Sequence, residues 1–75
     1  MSSTAIYGVT GMTCDHCVRA VTAEVAAIPG VRDVEVDLVA GGTSAVRVVS
    51  TEPLAADTVR EAVDEAGYEL AGSAP

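Results

Sequence analysis

The sequence predicts an α+β fold of the ferredoxin-like type, an open-faced sandwich of one antiparallel four-stranded sheet with two helices on one face. Apolar residues recur at helical spacing in two stretches and alternate with polar residues in the stretches around them. The predicted order of elements is therefore β-α-β-β-α-β. Two strand–helix–strand units with right-handed crossovers interlock into a single sheet that has both helices on the same side.

The first strand and the first helix meet near residue 10. Residues Ala5–Val9 are partly β-branched, which predicts a strand with Tyr7 and Val9 on one face. Helical periodicity begins at residue 15, and the Pro29-Gly30 pair ends it. The predicted helix covers residues 15–28. Its apolar stripe consists of Val18, Val21, Val25 and Ile28.

A β-hairpin is predicted after the first helix. Residues 31–39 alternate between aliphatic and acidic side chains, which is typical of a strand with one buried and one solvent face. Residues 40–43 have turn chemistry, and residues 44–49 alternate again. Arg47 falls on the polar face, where we expect it to lie opposite a carboxylate and to contribute only about a few tenths of a kcal/mol.

The second helix is predicted to open at residues 51–54, because Pro53 is tolerated in the first turn of a helix. Thr51 is the candidate cap, since Ala55 offers no side-chain oxygen. Without that cap the helix begins frayed, at a cost of about 1 kcal/mol. Gly67 is expected to end the helix as its C′ residue. The apolar stripe consists of Val59, Ala62, Val63 and Ala66.

Residues 68–71 are predicted to form a short last strand, and residues 72–75 a loose tail. No linker, repeat or low-complexity segment interrupts the 75 residues. The sequence thus predicts a single domain over residues 1–75 with a core of about residues 5–71. The initiating Met1 and the loose ending are expected of a complete small protein.

Composition and charge exclude several classes of function. Hydrophobic residues make up 49% of the chain but include no Trp or Phe, so the core is thin and an enzyme with its own deep pocket is not expected. The net charge of −7 disfavours nucleic acids and anionic membranes and favours a basic or weakly charged partner. No signal peptide or membrane-spanning run is visible, so we expect a cytoplasmic protein with reduced cysteines.

Both cysteines lie in the stretch Gly11–Cys17, at the predicted junction of strand and helix. A Cys-x-x-Cys pair can form one disulfide or bind one soft metal ion. Structural zinc sites and iron–sulfur clusters need four protein ligands, whereas the chain has two cysteines and one histidine. Thiolates suit Cu(I), so the donor count favours Cu(I) held by Cys14 and Cys17.

The position of the cysteines also matters. Unpaired backbone N–H groups at the start of a helix stabilise negative charge and lower the pKa of a thiol. Because the thiolate is the form that binds metal, we expect metal affinity to fall as the pH drops through the thiol pKa values.

The heptapeptide Gly-Met-Thr-Cys-Asp-His-Cys, with Ala20-Val21, Pro29-Gly30-Val31 and Gly67-Tyr68, resembles the heavy-metal-associated domain family over about residues 7–70. Within that family the chain is most similar to the free-standing bacterial copper chaperones of the CopZ type. The resemblance implies Cu(I) bound by Cys14 and Cys17 and passed by thiolate exchange to a similar domain of a copper-transporting P-type ATPase. A copper-bridged homodimer is a further expectation.

Four neighbours of the cysteines are candidates for secondary roles in metal binding. The resemblance implies that Met12 anchors the loop in the core, although its thioether is also a possible ligand. His16 is expected to face solvent and to tune the site, or to ligate copper within a homodimer. Relatives that carry zinc, cadmium or lead often have Asp at the position of Thr13, so a neutral Thr13 favours Cu(I). Tyr68 is expected to shield the site, in which case Tyr68→Phe leaves affinity nearly unchanged.

Three alternative functions stay open at this point. The chain is consistent with an N-terminal metal-binding domain of a transporting ATPase, because such domains share the fold and the site. A thiol–disulfide oxidoreductase also has a Cys-x-x-Cys at a helix start, but the chain is shorter than a thioredoxin-like fold needs and the predicted strand order differs. A mercury-scavenging relative is the third, since Hg(II) also prefers two sulfurs.

Overall fold

A computed structural model describes residues 2–74 of the chain and confirms the predicted order of elements. The strands and helices alternate as β-α-β-β-α-β, which is the ferredoxin-like arrangement. The elements are β1 Ser3–Thr10, α1 Asp15–Ala26, β2 Val31–Asp37, β3 Thr43–Ser50, α2 Ala56–Glu65 and β4 Glu69–Ala74.

The four strands form one sheet in the order β2-β3-β1-β4, and each neighbouring pair is antiparallel. Strand β1 lies in the interior of the sheet, with β3 on one side and β4 on the other. The loop that follows β1 therefore starts from a backbone that is hydrogen-bonded on both sides, which fixes where the cysteines lie. No helix in the described part of the chain is long and apolar enough to cross a membrane.

The core lies between the sheet and the two helices. Alternation along β1 points Tyr7 and Val9 inward, as predicted, and leaves Ile6 exposed on the open face of the sheet. The helices contribute their apolar stripes to the same core. Buried hydrophobic residues are Tyr7, Val9, Met12, Cys17, Val21, Val25, Ile28, Val46, Val48, Val59, Ala62 and Val63.

The hairpin of β2 and β3 confirms the expected cross-strand ion pair. Arg47 lies opposite Glu35 in the register, and its guanidinium donates to the Glu35 carboxylate at 2.6 Å. Both side chains are at least half exposed, so the pair contributes little to stability.

The predicted start of α2 is wrong. The helix begins at Ala56, its N-cap Ala55 makes no side-chain hydrogen bond, and Pro53 precedes the helix. Thr51 does not cap it, because its backbone N–H donates to the carbonyl of Gly30 at 2.8 Å and holds the residue at the end of the sheet. The residue before a proline, here Glu52, is also disfavoured in helical geometry, and Ala55 is still extended, so α2 begins only at Ala56.

The predicted loose tail is also wrong for the described residues. Strand β4 continues through Ala74. The register shifts between Gly8 and Val9 of β1, and beyond this shift Gly72 pairs with Gly8 and Ala74 with Ile6. Backbone pairing with β1, rather than a side-chain pattern, extends the strand. Pro75 lies outside the described residues.

Candidate metal centre

The loop between β1 and α1, residues 11–14, is positioned by the backbone conformation of Gly11 and by the burial of Met12. Gly11 begins it with φ of 94°, a backbone conformation that side chains disfavour. Met12 follows and is fully buried in the core, so its large side chain fixes the loop to the core. Thr13 and Cys14 then return to the surface, where both are exposed.

The start of α1 brings the two sulfurs together. Cys14 is the N-cap residue with extended backbone, and its carbonyl accepts the N–H groups of Cys17 at 3.0 Å and Val18 at 3.3 Å. This turn places the Sγ atoms of Cys14 and Cys17 3.7 Å apart, with both thiols free of a disulfide. Cys14 is exposed, whereas Cys17 is only 9% exposed. One sulfur thus faces the solvent and the other faces the core.

Hydrogen bonds lower the pKa of the Cys17 thiol from 9.0 to about 6. The largest cause is a bond from the backbone of Thr13, followed by the Tyr68 side chain and the backbone of Cys14, and burial acts in the opposite direction. The Thr13 hydroxyl also lies 3.8 Å from the sulfur. Cys17 is therefore largely a thiolate at neutral pH although it is buried, because its donors outweigh the loss of water.

The Tyr68 side chain lies beside the site because of the turn that ends α2. Gly67 has φ of 92° and donates its N–H to Asp64, while the Tyr68 N–H donates to Val63 at 3.1 Å. This confirms Gly67 as the C′ residue. The hydrogen bond to Cys17 is the largest cause that raises the pKa of Tyr68, as expected for a hydroxyl that donates to a thiolate.

A model of the heavy-metal-associated domain matches residues 6–69, which is most of the chain. The chain belongs to the heavy-metal-associated domain family. It is 36% identical over 66 residues to the copper chaperone CopZ of Staphylococcus haemolyticus, and the match covers 87% of this chain and 93% of that protein.

Two further members of the heavy-metal-associated family are parts of transporting ATPases. Copper-transporting ATPase 1 of Rhizobium meliloti is 41% identical over 64 residues, which cover 85% of this chain and only 7% of the ATPase. The solved N-terminal domain of a potential copper-translocating P-type ATPase from Bacillus subtilis, in its Cu(I)-loaded state, superposes with a TM-score of 0.72. It is 28% identical, and the match covers 99% of this chain and 92% of that domain.

The structure brings together most of the residues that the sequence singles out. Thr13 and Tyr68 lie against the Cys17 sulfur, and Met12 packs in the same core cluster as Cys17. His16 is exposed in the first turn of α1. Within residues 2–74, no group of three or more His, Cys, Asp and Glu side chains is arranged to hold a metal ion.

Two features of this heavy-metal-associated domain were not foreseen from its sequence. Cys17 belongs to the buried stripe of α1, while Val18, which was assigned to that stripe, is only half-buried. The spacing of Cys17, Val21 and Val25 at i, i+4 and i+8 was the available signal. Tyr68, which is expected to shield the site, also lowers the pKa of the Cys17 thiol through its side chain.

Proposed function

We propose that this heavy-metal-associated domain is a cytoplasmic copper chaperone. It binds Cu(I) through the thiolates of Cys14 and Cys17 and delivers it to the metal-binding domain of a copper-transporting P-type ATPase. The observation that supports this most directly is the pair of free sulfurs 3.7 Å apart, one on the exposed Cys14 and the other on the buried Cys17, whose thiol has a pKa of about 6. The chaperone and ATPase relatives support copper as the metal.

The sulfur geometry fits an ion of low coordination number. Taking the zinc–sulfur distance of about 2.3 Å as a guide, a linear S–metal–S arrangement requires sulfurs roughly 4.6 Å apart. The sulfurs are 3.7 Å apart in the metal-free geometry, so binding requires an opening of about 0.9 Å. Rotation of the exposed Cys14 side chain supplies this movement, because Cys17 is buried and its sulfur lies 3.8 Å from the Thr13 hydroxyl.

Transfer follows from the difference between the two sulfurs. A partner thiolate reaches the copper from the solvent side, where Cys14 is exposed, and forms a three-sulfur intermediate. Cys14 leaves first because its side chain is free to rotate, and Cys17 leaves when a second partner sulfur binds. No covalent bond of the protein is broken, so the reaction is an exchange of ligands and not catalysis.

The surface around the site is suited to docking of a second domain. Thr13, Asp15, His16 and Arg19 are exposed around the cysteines. The open cleft beside Tyr68 is lined by two acidic residues, Asp64 and Glu69, and one basic residue, Arg60. A partner that places basic residues opposite Asp64 is therefore favoured by charge.

The second candidate is the metal-binding domain of a copper-transporting ATPase. The match to the Rhizobium ATPase, at 41% identity over 7% of its length, is the observation that favours it. Both candidates use the same two-sulfur site, so they differ in what is attached to the domain rather than in chemistry. The sequence of the native open reading frame distinguishes them, because only the ATPase continues into membrane helices.

Anaerobic Cu(I) titration against a competing chelator, with mass spectrometry of the intact protein, tests the proposed function. We expect Cu(I) to bind tightly and to be retained against added Zn(II). Cys14→Ser and Cys17→Ser are expected to abolish tight binding, whereas the matched control His16→Ala is expected to keep it within about twofold of wild type. Tight binding by either serine variant refutes the two-thiolate site.

A transfer experiment tests delivery separately from binding. The Cu(I)-loaded protein is mixed with the metal-free metal-binding domain of a copper ATPase, and the two are separated and assayed for copper. We expect copper to redistribute within the mixing time and faster than it is released to solvent. Release only at the spontaneous rate contradicts delivery while leaving the binding site intact.

A further inference from the structure

A second concave site lies at the end of the sheet opposite to the metal-binding loop. A cavity of about 310 Å³ opens between the start of β1, the end of β3 and the segment 51–55 that precedes α2. The cavity lining extends along β1 from Ser3 to Tyr7 and includes no residue of the loop 11–14, and Tyr7 is roughly 10 Å from Thr10 at the usual rise of a strand. The cavity is therefore distinct from the cysteine site.

The walls of the cavity are mostly apolar and carry no acidic or basic side chain. Val48 is buried and Leu54 half-buried against the core, and Pro53 lies beside Leu54 in the same wall. The hydroxyl of Ser50 is already used, because it donates to the carbonyl of Glu52. A charged ligand would lose its water here without gaining a partner, so the lining selects an uncharged molecule.

The lining of the cavity includes four residues with hydroxyl groups, Ser3, Thr4, Ser50 and Tyr7, of which Tyr7 has the largest side chain. Tyr7 is only 4% exposed and lines the cavity, and among the side chains of residues 2–72 no hydrogen bond involves its hydroxyl. Among these residues, no fully buried side-chain oxygen lacks a partner, so the Tyr7 oxygen is not sealed in the core. Because Tyr7 lines the cavity, we take its hydroxyl as the hydrogen-bond donor available there.

We propose that this cavity is a binding site for an uncharged, mainly apolar small molecule. The ligand carries one hydrogen-bond acceptor, which accepts a hydrogen bond from the Tyr7 hydroxyl. The volume lies at the lower end of the range for small-molecule sites, which suits a ligand of the size of a substituted benzene. Pro53 and Leu54 form one wall and precede Ala55, whose carbonyl accepts the first hydrogen bonds of α2, so this wall adjusts to the ligand without disturbing α2. The site does not depend on copper.

Three matched probes test the proposal on the metal-free protein by NMR titration. Acetophenone has an apolar ring and a carbonyl acceptor, ethylbenzene has the ring without the acceptor, and benzoate has the ring with a charge. We expect saturable shifts with acetophenone at the start of β1, the end of β3 and residues 51–55, weaker binding of ethylbenzene, and no binding of benzoate. No saturable shift with either neutral probe, or benzoate binding as tightly as acetophenone, overturns the proposal.

Two variants assign the roles of the lining residues. Tyr7→Phe keeps the shape of the ring, and we expect it to weaken acetophenone about threefold to tenfold while leaving ethylbenzene unchanged. Leu54→Phe enlarges a side chain in the wall of the cavity. The larger side chain is expected to fill the cavity and to abolish binding of both neutral probes. The control Tyr68→Phe, at the other end of the molecule, is expected to change neither. Equal weakening of both neutral probes by Tyr7→Phe contradicts the hydroxyl's role.

Discussion

Met12 provides the sharpest separation between a core anchor and a metal ligand. Its side chain is fully buried, and truncation of such a side chain to Ala typically destabilises a protein by 2–5 kcal/mol, so we take about 3 kcal/mol. For 75 residues, an unfolding entropy of about 2.1 cal/mol/K per residue converts this into a fall in Tm of about 20 °C. Met12→Leu conserves volume and is expected to lower Tm by less than about 10 °C.

Circular dichroism on heating of the metal-free, reduced protein measures both Tm values, and chelator competition on the folded variants measures Cu(I) affinity. We expect Met12→Leu to bind Cu(I) within about twofold of wild type, because Leu fills the same space and the sulfur is not needed. A stable Met12→Leu protein with tenfold weaker Cu(I) binding would show that the thioether is a ligand. A fall in Tm of less than about 5 °C for Met12→Ala would refute the anchoring role.

Four further outcomes are expected. Since the pKa of Cys17 is about 6 in the folded protein and 9.0 when unperturbed, Cu(I) affinity falls more steeply once the pH drops below about 6, as chelator competition at several pH values would show; a constant slope through that pH contradicts the lowered pKa. Between pH 6 and 9 the unfolded chain carries a proton at Cys17 that the folded chain has lost. The free energy of unfolding of the metal-free protein, measured in urea titrations relative to Cys17→Ala, is therefore expected to rise with pH over that interval. A fall would contradict the lowered pKa. Tyr68→Phe removes a donor to the sulfur and raises the pKa of Cys17, which is visible in the ultraviolet absorbance of the thiolate; an unchanged titration would leave Tyr68 only a shield. Gly11→Ala forces a side chain into φ of 94° and is expected to lower the free energy of unfolding by about 1–2 kcal/mol. In the control Gly72→Ala the added Cβ has open space, so this variant is expected to stay within about 1 kcal/mol of wild type. Equal losses would contradict the backbone argument.

The order of elements could be predicted because each helix and strand has its own local pattern of apolar and polar residues. The helical stripes of α1 and α2 and the alternation of β2 and β3 need no knowledge of the rest of the chain. The pairing of Arg47 with a carboxylate followed from the same alternation.

The errors at the ends of elements have a common physical cause. Thr51 and Pro53 both have residue types suited to a helix start, but the hydrogen bond from Thr51 to Gly30 keeps this segment with the sheet. Gly72 has no side-chain pattern, and only its pairing with Gly8 places it in β4. Contacts between residues far apart in the sequence decided each case, and a local pattern does not contain them.

The candidate site was predictable in its ligands and not in its environment. The Cys-x-x-Cys spacing at a helix start indicates two adjacent sulfurs, which the structure places 3.7 Å apart. The contrast between an exposed Cys14 and a buried Cys17, and the hydrogen bond from Tyr68, depend on how α1 packs and where α2 ends. Of the causes that lower the pKa of Cys17, only the Tyr68 side chain is such a tertiary feature; the largest cause, a hydrogen bond from the Thr13 backbone, belongs to the local loop, and burial acts against the shift.

X-ray absorption spectroscopy of the Cu(I)-loaded protein tests the two-sulfur site most directly. We expect copper with only sulfur neighbours, two for the isolated monomer and a third when a partner thiolate or a second chain is present, and an unchanged spectrum for His16→Ala. Nitrogen or oxygen neighbours in the loaded wild-type protein would contradict a site made of Cys14 and Cys17.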